Sequence, residues 1–457
     1  MIKRTVLFIV VFTLFFSALL AHPVEKINNW AKKQTDNIDA QKVVNFLTRD
    51  KEEGDITFGA EYSFNPATSY SISATTLDAT HFVIAYQDVG NGSYGTAIVG
   101  TVLDTTISYG TEYVFNSSPT VPFATTLDAT HFVVVYSDQG NNNYGTALVG
   151  TVTGSDISWA YESVFNYAIT YYCVATALDA MHFVVAYNDG GNSNYGTAIV
   201  GTISEPITYI EFGDEYVFNS GDTSYCSATT LDAAHFVVAY SDQEGYNLFG
   251  TTIVGVVSGT GNDATISYRP GFVYDLATPV YNSTTTLDAN HFVVAYCSYY
   301  YPSYGKAIVG TVTDSSISCG SEYVFNPGTT TYCSATALDA THFVIAYNDG
   351  SNPLHGSAIV GTVSDSDISY GYEYTFSLYG AMNSAITLDE THFINAYSDA
   401  SYGNSIVGEV EGISPPPAPV DVEITINGSD LVISWDEVIG ASSYISVSYT
   451  HLTLPTN

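Results

Sequence analysis

Seven histidines share one setting in this 457-residue chain: His81, His131, His182, His235, His291, His342 and His392 each follow an aspartate by three residues. The aspartates are Asp78, Asp128, Asp179, Asp232, Asp288, Asp339 and Asp389. Imidazole and carboxylate are zinc ligands, but a zinc site needs three or four that converge on one point. Seven pairs at regular intervals do not converge, so the pairs are expected to build turns, with each carboxylate bonding backbone amides. A second acidic set, Asp88, Asp138, Asp189, Asp242, Asp349 and Asp399, opens polar loops such as DVGNGSYG and DQGNNNYG. Oxygen-rich loops can hold calcium, a hard cation. These lack the regular acidic spacing of known calcium loops, and turn initiation is the simpler reading. A third group is aromatic and basic: Tyr299, Tyr300, Tyr301, Tyr304 and Lys306 lie in CSYYYPSYGK at 297–306, and Arg269 stands shortly before. Clustered tyrosines stack on sugar rings or anchor a protein partner, which makes these residues the candidate ligand site; drift in a unit that need only pack is the simpler alternative.

What positions these residues is a repeat. Ten residues of the type LDATHFVVAY begin at Leu77, Leu127, Leu178, Leu231, Leu287, Leu338 and Leu388, in steps of 50 to 56. That period is the size of a four-stranded propeller blade, and seven copies suggest a closed ring. In the second copy, 121–127 reads as a first strand, Asp128 to Thr130 as a turn, and 131–137 as a strand buried on both faces. The loop 138–144 leads to a third strand at 145–152, and a tight link gives a fourth at 157–166. Strand direction alternates, so the loops after the second and fourth strands are expected on one face, the default binding surface. A glycine recurs in every third strand, from Gly100 to Gly408, where a missing side chain lets an aromatic ring approach. The region opens with a fourth-type strand at 56–65 and ends with a third-type strand at 403–410, so the chain ends are expected to pair and close the ring.

The predicted class is therefore all-β: a seven-bladed β-propeller of four-stranded blades over 55–411, followed by the start of a β-sandwich. Residues 1–21 have the basic start, apolar run and small residue of a secretory signal. Residues 22–54 read as a helical N-terminal segment or propeptide, and 412–419 as a Pro-rich linker. Residues 420–446 resemble the opening strands of a fibronectin type III domain, with Trp435 and Tyr444 in its buried aromatic slots. The tail 447–457 resembles a translated sequencing adapter and is expected to be an artefact.

Charge narrows the partners. Of 46 acids and ten Lys or Arg, 42 acids and two basic residues, Arg269 and Lys306, fall after Lys51. Such a field repels nucleic acid and anionic lipid. Cysteine is sparse and odd in number; Cys173, Cys226 and Cys333 share one slot in different blades, too far apart to bridge, and all five are expected to be mostly free fillers.

No catalytic constellation is recognisable. Propeller sialidases hold a carboxylate with three arginines and this region has one; phytases need basic residues that are missing; the Asp-box S-x-D-x-G-x-x-W is absent. A glycosidase needs only two suitably spaced carboxylates, a requirement that 42 acids meet by chance. An enzyme should gather non-repeated acids such as Glu205, Glu211, Asp214, Glu244 and Asp263 into one cleft. LDATHFVIAY at 338–347, YGTALVG at 144–150 and GSEYVFN at 320–326 resemble a group of bacterial extracellular propeller repeats, over about 55–411. In those, Trp is usual for the Tyr and Gly for the His after the turn. The resemblance implies display or adhesion in a large surface protein, with no shared catalytic residues. The expectation is a secreted or cell-surface binding module without catalysis, a monomeric propeller within a larger protein. It would bind an extracellular glycan or protein, or a cation, through the long-loop face. No cofactor is expected, with calcium as the alternative, and a carbohydrate-active hydrolase or lyase as the alternative function.

Overall fold

The computed structural model describes residues 53–413, except 204–205, 245–246, 260, 277, 299–302, 314–315, 351–354, 380 and 400, and the backbone of 423–427 and 430–434. The chain divides into Met1–Glu52 and Glu53–Asn457, and every described residue belongs to the second unit. The expected leader and all but the last two residues of the segment 22–54 lie outside the described residues, as do Trp435, Tyr444 and the tail from 447. At the fibronectin-like stretch, Glu423–Asn427 and Asp430–Ser434 pair as an antiparallel hairpin.

The described fold is all-β and antiparallel, and one pattern recurs with the sequence repeat. In the first repeat, Ser69–Thr76 pairs with His81–Asp88, which pairs with Tyr94–Leu103. The third strand then meets Thr106–Tyr109 and, after a break at 110–112, the start of Tyr113–Thr126. Tyr113–Thr126 continues without a turn into the next unit, pairing Thr120 with Asp138. Here the sequence reading needs correction, because it put a long loop between fourth and first strands. The connection here is extended chain, one strand serving the outer edge of one unit and the inner edge of the next. Ser163–Ala177 and Tyr216–Thr230 do the same. Four other units have a three-residue break at this place, as between Asn65 and Ser69.

Burial explains the apolar second strand. Phe82, Val83, Ile84, Ala85 and Tyr86 are all fully buried, so both faces of the strand are covered. Val83, Ala85 and Val99 pack with Phe132, Val134 and Tyr136 of the next repeat, whereas Phe82, Ile84 and Tyr86 pack with Ile394, Ala396 and Val407 of the last. The buried Tyr86 hydroxyl donates to Glu112 Oε1 at 2.7 Å, and Tyr136, Tyr187 and Tyr296 bond Glu162, Glu215 and Glu322 in the same way.

Closure follows the expected register. Ile56–Phe58 pairs with Val410 to Gly408, and Tyr62–Asn65 with Ser405 to Gly403. The strand glycines also act as expected: a Cβ on Gly310 would lie 2.1 Å from Phe292 Cζ, and Gly100, Gly150 and Gly361 meet Phe82, Phe132 and Phe343 as closely.

The histidine–aspartate pairs build the turn between first and second strands. Asp78 Oδ1 accepts from the Thr80 and His81 amides at 2.7 and 2.8 Å, and His81 Nδ1 lies 3.1 Å from the carboxylate. The His Nδ1 to Asp contact recurs in all seven copies, at 2.8 to 3.1 Å. At the most enclosed copy, burial raises the Asp339 carboxyl, but bonds from His342 and Thr341 outweigh it and hold its pKa at about 2. Burial likewise lowers His342, and its bonds to Asp339 and Glu53 outweigh that, so it ends above the ordinary histidine value.

Two expectations follow. Gly310→Ala forces its new methyl into Phe292 and lowers stability by about 1–3 kcal/mol in chemical denaturation. The Asp339 contribution is complete above an unfolded pKa of about 4 and is lost as pH falls through about 2, whereas the His342 contribution is present below about 6.5 and is lost as pH rises past its raised folded value. Asp339→Ala therefore flattens both limbs of the stability–pH curve, and costs about 1–2 kcal/mol at neutral pH through the lost turn bonds. Urea midpoints from pH 2 to 8 read both.

Candidate functional site

Tyr299, Tyr300 and Tyr301 lie outside the described residues. Tyr304 occupies the slot filled by Tyr94, Tyr144 and Tyr195 in other repeats, and its carbonyl accepts from the Ser298 amide. Lys306 is engaged inside the sheet: its ammonium lies 3.1 Å from Glu322, 3.4 Å from the buried Asp275 and 5.8 Å from the centre of the Tyr296 ring. Arg269 does not join it, for its Nη1 donates to the Thr313 carbonyl at 2.6 Å, at the end of the next unit's third strand. The rarity of basic charge drew attention to both residues, and the structure gives each an internal partner.

The six loop aspartates sit one to a repeat, each at the end of its second strand or directly after it. Asp88 Oδ1 accepts from the Gly90 amide and Asn65 Nδ2, at 2.9 and 3.0 Å. Asp138 accepts from the Gly140 amide, Asp189 from Gly191 and Asn166, Asp242 from Asn219, Asp349 from Asn326, and Asp399 from Ser401 and Tyr402. Among the described residues no group of three or more His, Cys, Asp or Glu is placed to hold a metal ion.

A feature missed in the sequence lies on the first strands. Six of them carry one extra residue, so the register with the second strand shifts between Tyr70 and Ser73, Tyr171 and Val174, Ser224 and Ser227, Val280 and Ser283, Thr331 and Ser334, and Ala381 and Asn383. At each bulge one residue takes a left-handed backbone: Ser71, Tyr172, Tyr225, Tyr281, Tyr332 and Met382, with φ from 49° to 55°. That conformation is costly for a bulky side chain and persists only where the surroundings enforce it. Enforcement comes from the neighbouring unit: Tyr225, Tyr281 and Tyr332 carbonyls accept from Asn282, Cys333 and Asn383 side chains at 3.0 to 3.1 Å.

The bulges put four tyrosines in a row. Ring centres are 5.3 Å apart for Tyr172 and Tyr225, 5.6 Å for Tyr225 and Tyr281, and 4.6 Å for Tyr281 and Tyr332. Tyr281 and Tyr332 line a cavity of about 330 Å³ between the first strands, with Ser71, Pro122, Phe123, Asn383 and the serines Ser73, Ser227, Ser283, Ser334 and Ser384. The bulges lie near the strand end where the second strand passes into its loop, so the cavity opens toward the loop face. Burial, then neighbouring tyrosines, pushes the phenols of Tyr172 and Tyr281 up, so they remain neutral hydrogen-bonding groups. One wall residue, Asn383, donates to Asn348 and Tyr332 and accepts from Asn395, a buried asparagine inside an apolar strand.

The cavity wall has no carboxylate and no basic group among the described residues. Glu205 and the Glu244 side chain lie outside them. Glu211 is on an outer strand, where its carboxylate accepts from Tyr209, and Asp263 is in the turn that leads to the next outer strand. Asp214 sits in the break between Ile210–Phe212 and Tyr216–Thr230. The described members of this set are thus away from the cavity. The available sequence signal was the slot six before each repeat leucine, with Tyr–Cys at 172–173, 225–226 and 332–333. Attention to the cysteines hid the tyrosines beside them.

No protein-family model and no curated protein matches the sequence. Among solved structures, the BP39L lectin from Burkholderia pseudomallei is similar with a TM-score of 0.54 and 9% identity, over 77% of this chain and 98% of that one. The Hadza microbial sialidase Hz136 has a TM-score of 0.44 and 8% identity, over 78% and 69% of the two chains. A protein of unknown function from Dyadobacter fermentans has 0.43 and 11%, over 78% and 99%. The likeness to the lectin is one of fold. With the stacked antiparallel units it defines a β-propeller-like, all-β protein. Among the described residues no helix is long and apolar enough to cross a membrane.

Lys306 offers a direct check of its internal post. Lys306→Met leaves Asp275 and Glu322 without the ammonium and is expected to cost about 3 kcal/mol. Most of that loss returns in the double variant Asp275→Asn/Lys306→Thr, which restores the residue pair found at Asn65 and Thr96. Urea denaturation of the three proteins reads the difference.

Proposed function

We propose that this chain is a secreted or surface-displayed, seven-bladed β-propeller that binds a neutral glycan at the tyrosine row, without catalysis. The observation that carries the reading is the row itself: bulky residues held in a costly backbone conformation beside a cavity, where aromatic faces and hydroxyls are presented together. Seven repeats and the pairing of 56–65 with 403–410 support the blade count.

Several properties favour a sugar. Tyrosine rings offer flat apolar faces to the C–H surface of a pyranose, and their hydroxyls with Asn383 and the serines can meet its hydroxyls. The cavity is uncharged and the surrounding domain strongly acidic, so anionic glycans are repelled and neutral ones are not. The similar fold of a protein described as a lectin is compatible with this. The non-catalytic reading is proposed for a cavity whose described lining is made of hydroxyl, amide, thiol and apolar side chains, where a glycosidase uses a pair of carboxylates. No cofactor enters this reading, in which each loop aspartate serves as a turn residue by accepting from a nearby amide or asparagine. The leader-like residues 1–21 and the fibronectin-like segment support export and display as a monomeric propeller within a larger protein.

A glycan array with the full chain should show binding to neutral saccharides and none to sialylated or sulfated ones. Tyr281→Ala/Tyr332→Ala should weaken the best ligand about 30-fold, at about 1 kcal/mol per ring, while leaving the melting temperature near that of the wild type. Unchanged binding in the double variant overturns the site. Release of a chromophore from neutral aryl glycosides overturns the non-catalytic reading.

A further inference from the structure

Cys297 and Cys333 bring their sulfurs to 3.7 Å across the seam between the fifth and sixth repeats. Cys297 is on His291–Ser298, opposite Val280, and Cys333 is on Thr330–Ala337, directly after the bulged Tyr332. Both are buried. The same two slots face each other at other seams, filled by polar pairs. Asn383 Nδ2 donates to Asn348 Oδ1 at 3.1 Å, and Asn282 Nδ2 reaches Ser241 Oγ at 3.4 Å. Cys173 and Cys226 face slots that hold Ser137 and Asn188, so this seam alone has cysteine in both.

We propose that Cys297 and Cys333 are a disulfide-forming pair that staples the fifth unit to the sixth. Closing the bond brings the sulfurs from 3.7 Å to about 2.05 Å, a shift within reach of side-chain rotation. Two thiols give up two protons and two electrons, and a disulfide-bearing oxidant, small molecule or protein, takes them and leaves as two thiols. The thiol of Cys333 also donates to the Tyr281 carbonyl at 3.0 Å, and oxidation gives up that weak donor. The hydrogen bond with the neighbouring Cys297, then burial, pushes the Cys333 thiol up, which suppresses thiolate in the closed seam. The bond therefore forms while the seam is open, during folding.

The staple joins the strand beside Tyr332 to the strand that pairs with Val280, next to Tyr281. It thus fixes the closest tyrosine pair of the row, a consequence for binding that rests on the function proposed above; the crosslink itself does not.

The full chain is refolded in a glutathione redox buffer, alkylated, and digested without reduction. The expected map has one crosslinked peptide pair, Cys297 with Cys333, and alkylated Cys173, Cys226 and Cys319. Thiol titration of a separate, unalkylated sample in denaturant finds three thiols of the five cysteines. Reductant lowers the wild-type melting temperature by about 5 °C, as the closed loop predicts, and has no effect on Cys297→Ser/Cys333→Ser. Five titratable thiols, or a crosslink between other cysteines, overturn the proposal, and the wild-type map decides even if the variant fails to fold. Crosslinked protein that binds no glycan overturns the proposed function and leaves the staple standing.

Discussion

A strand covered on both faces cannot be the edge of anything. Each second strand carries five consecutive buried residues, and one alternating set faces the preceding unit while the other faces the next. No unit can therefore hide its apolar surface alone, and any open end of the stack would leave one face in water. The pairing of the N-terminal strands with Gly403–Val410 removes that end, and Ile56 packs with Val360, Phe393 and Val410 in the last seam. The recurring features of the repeat serve this requirement. The strand glycines make room for the phenylalanines, the hydroxyls of Tyr86, Tyr136, Tyr187, Tyr296 and Tyr397 find glutamates, and the Asp–His turns join first and second strands.

The tyrosine row is built on the same seams. The bulged carbonyls of the tyrosine row are satisfied by side chains of the next unit, so the strained backbone and the packing of neighbours depend on each other. A change at Asn282 or Asn383 acts on the tyrosine one unit away, through its backbone.

The sequence reading recovered what local chemistry repeats. The blade-sized period, the role of Gly100 and its equivalents, the turn-building histidines and the closing pair of strands each follow from residue type and spacing, and each is present. The tyrosine row was not legible because it depends on a one-residue bulge, which alters pairing without altering composition. Lys306 and Arg269 stood out in the sequence for a related reason. A rare charge looks functional in one dimension, and only the fold shows Asp275 and Glu322 waiting beside Lys306. Asn395 was similarly overlooked, an amide in an apolar run that holds Asn383 in place.

The second repeat is the exception among the first strands: Thr120–Thr126 pairs from Asp138 to Phe132 with no shift in register. Its strand presents Val121, Pro122 and Phe123 where the others bulge, so the likeness of the units stops at the cavity wall. Symmetry in the interior and asymmetry at the mouth thus have separate genetic controls. Insertion or deletion of a single codon in a first strand switches that position of the ring between projecting and flat, and leaves the packed interior of the unit untouched. The cavity wall can thus be reshaped one unit at a time, without risking the fold that carries it.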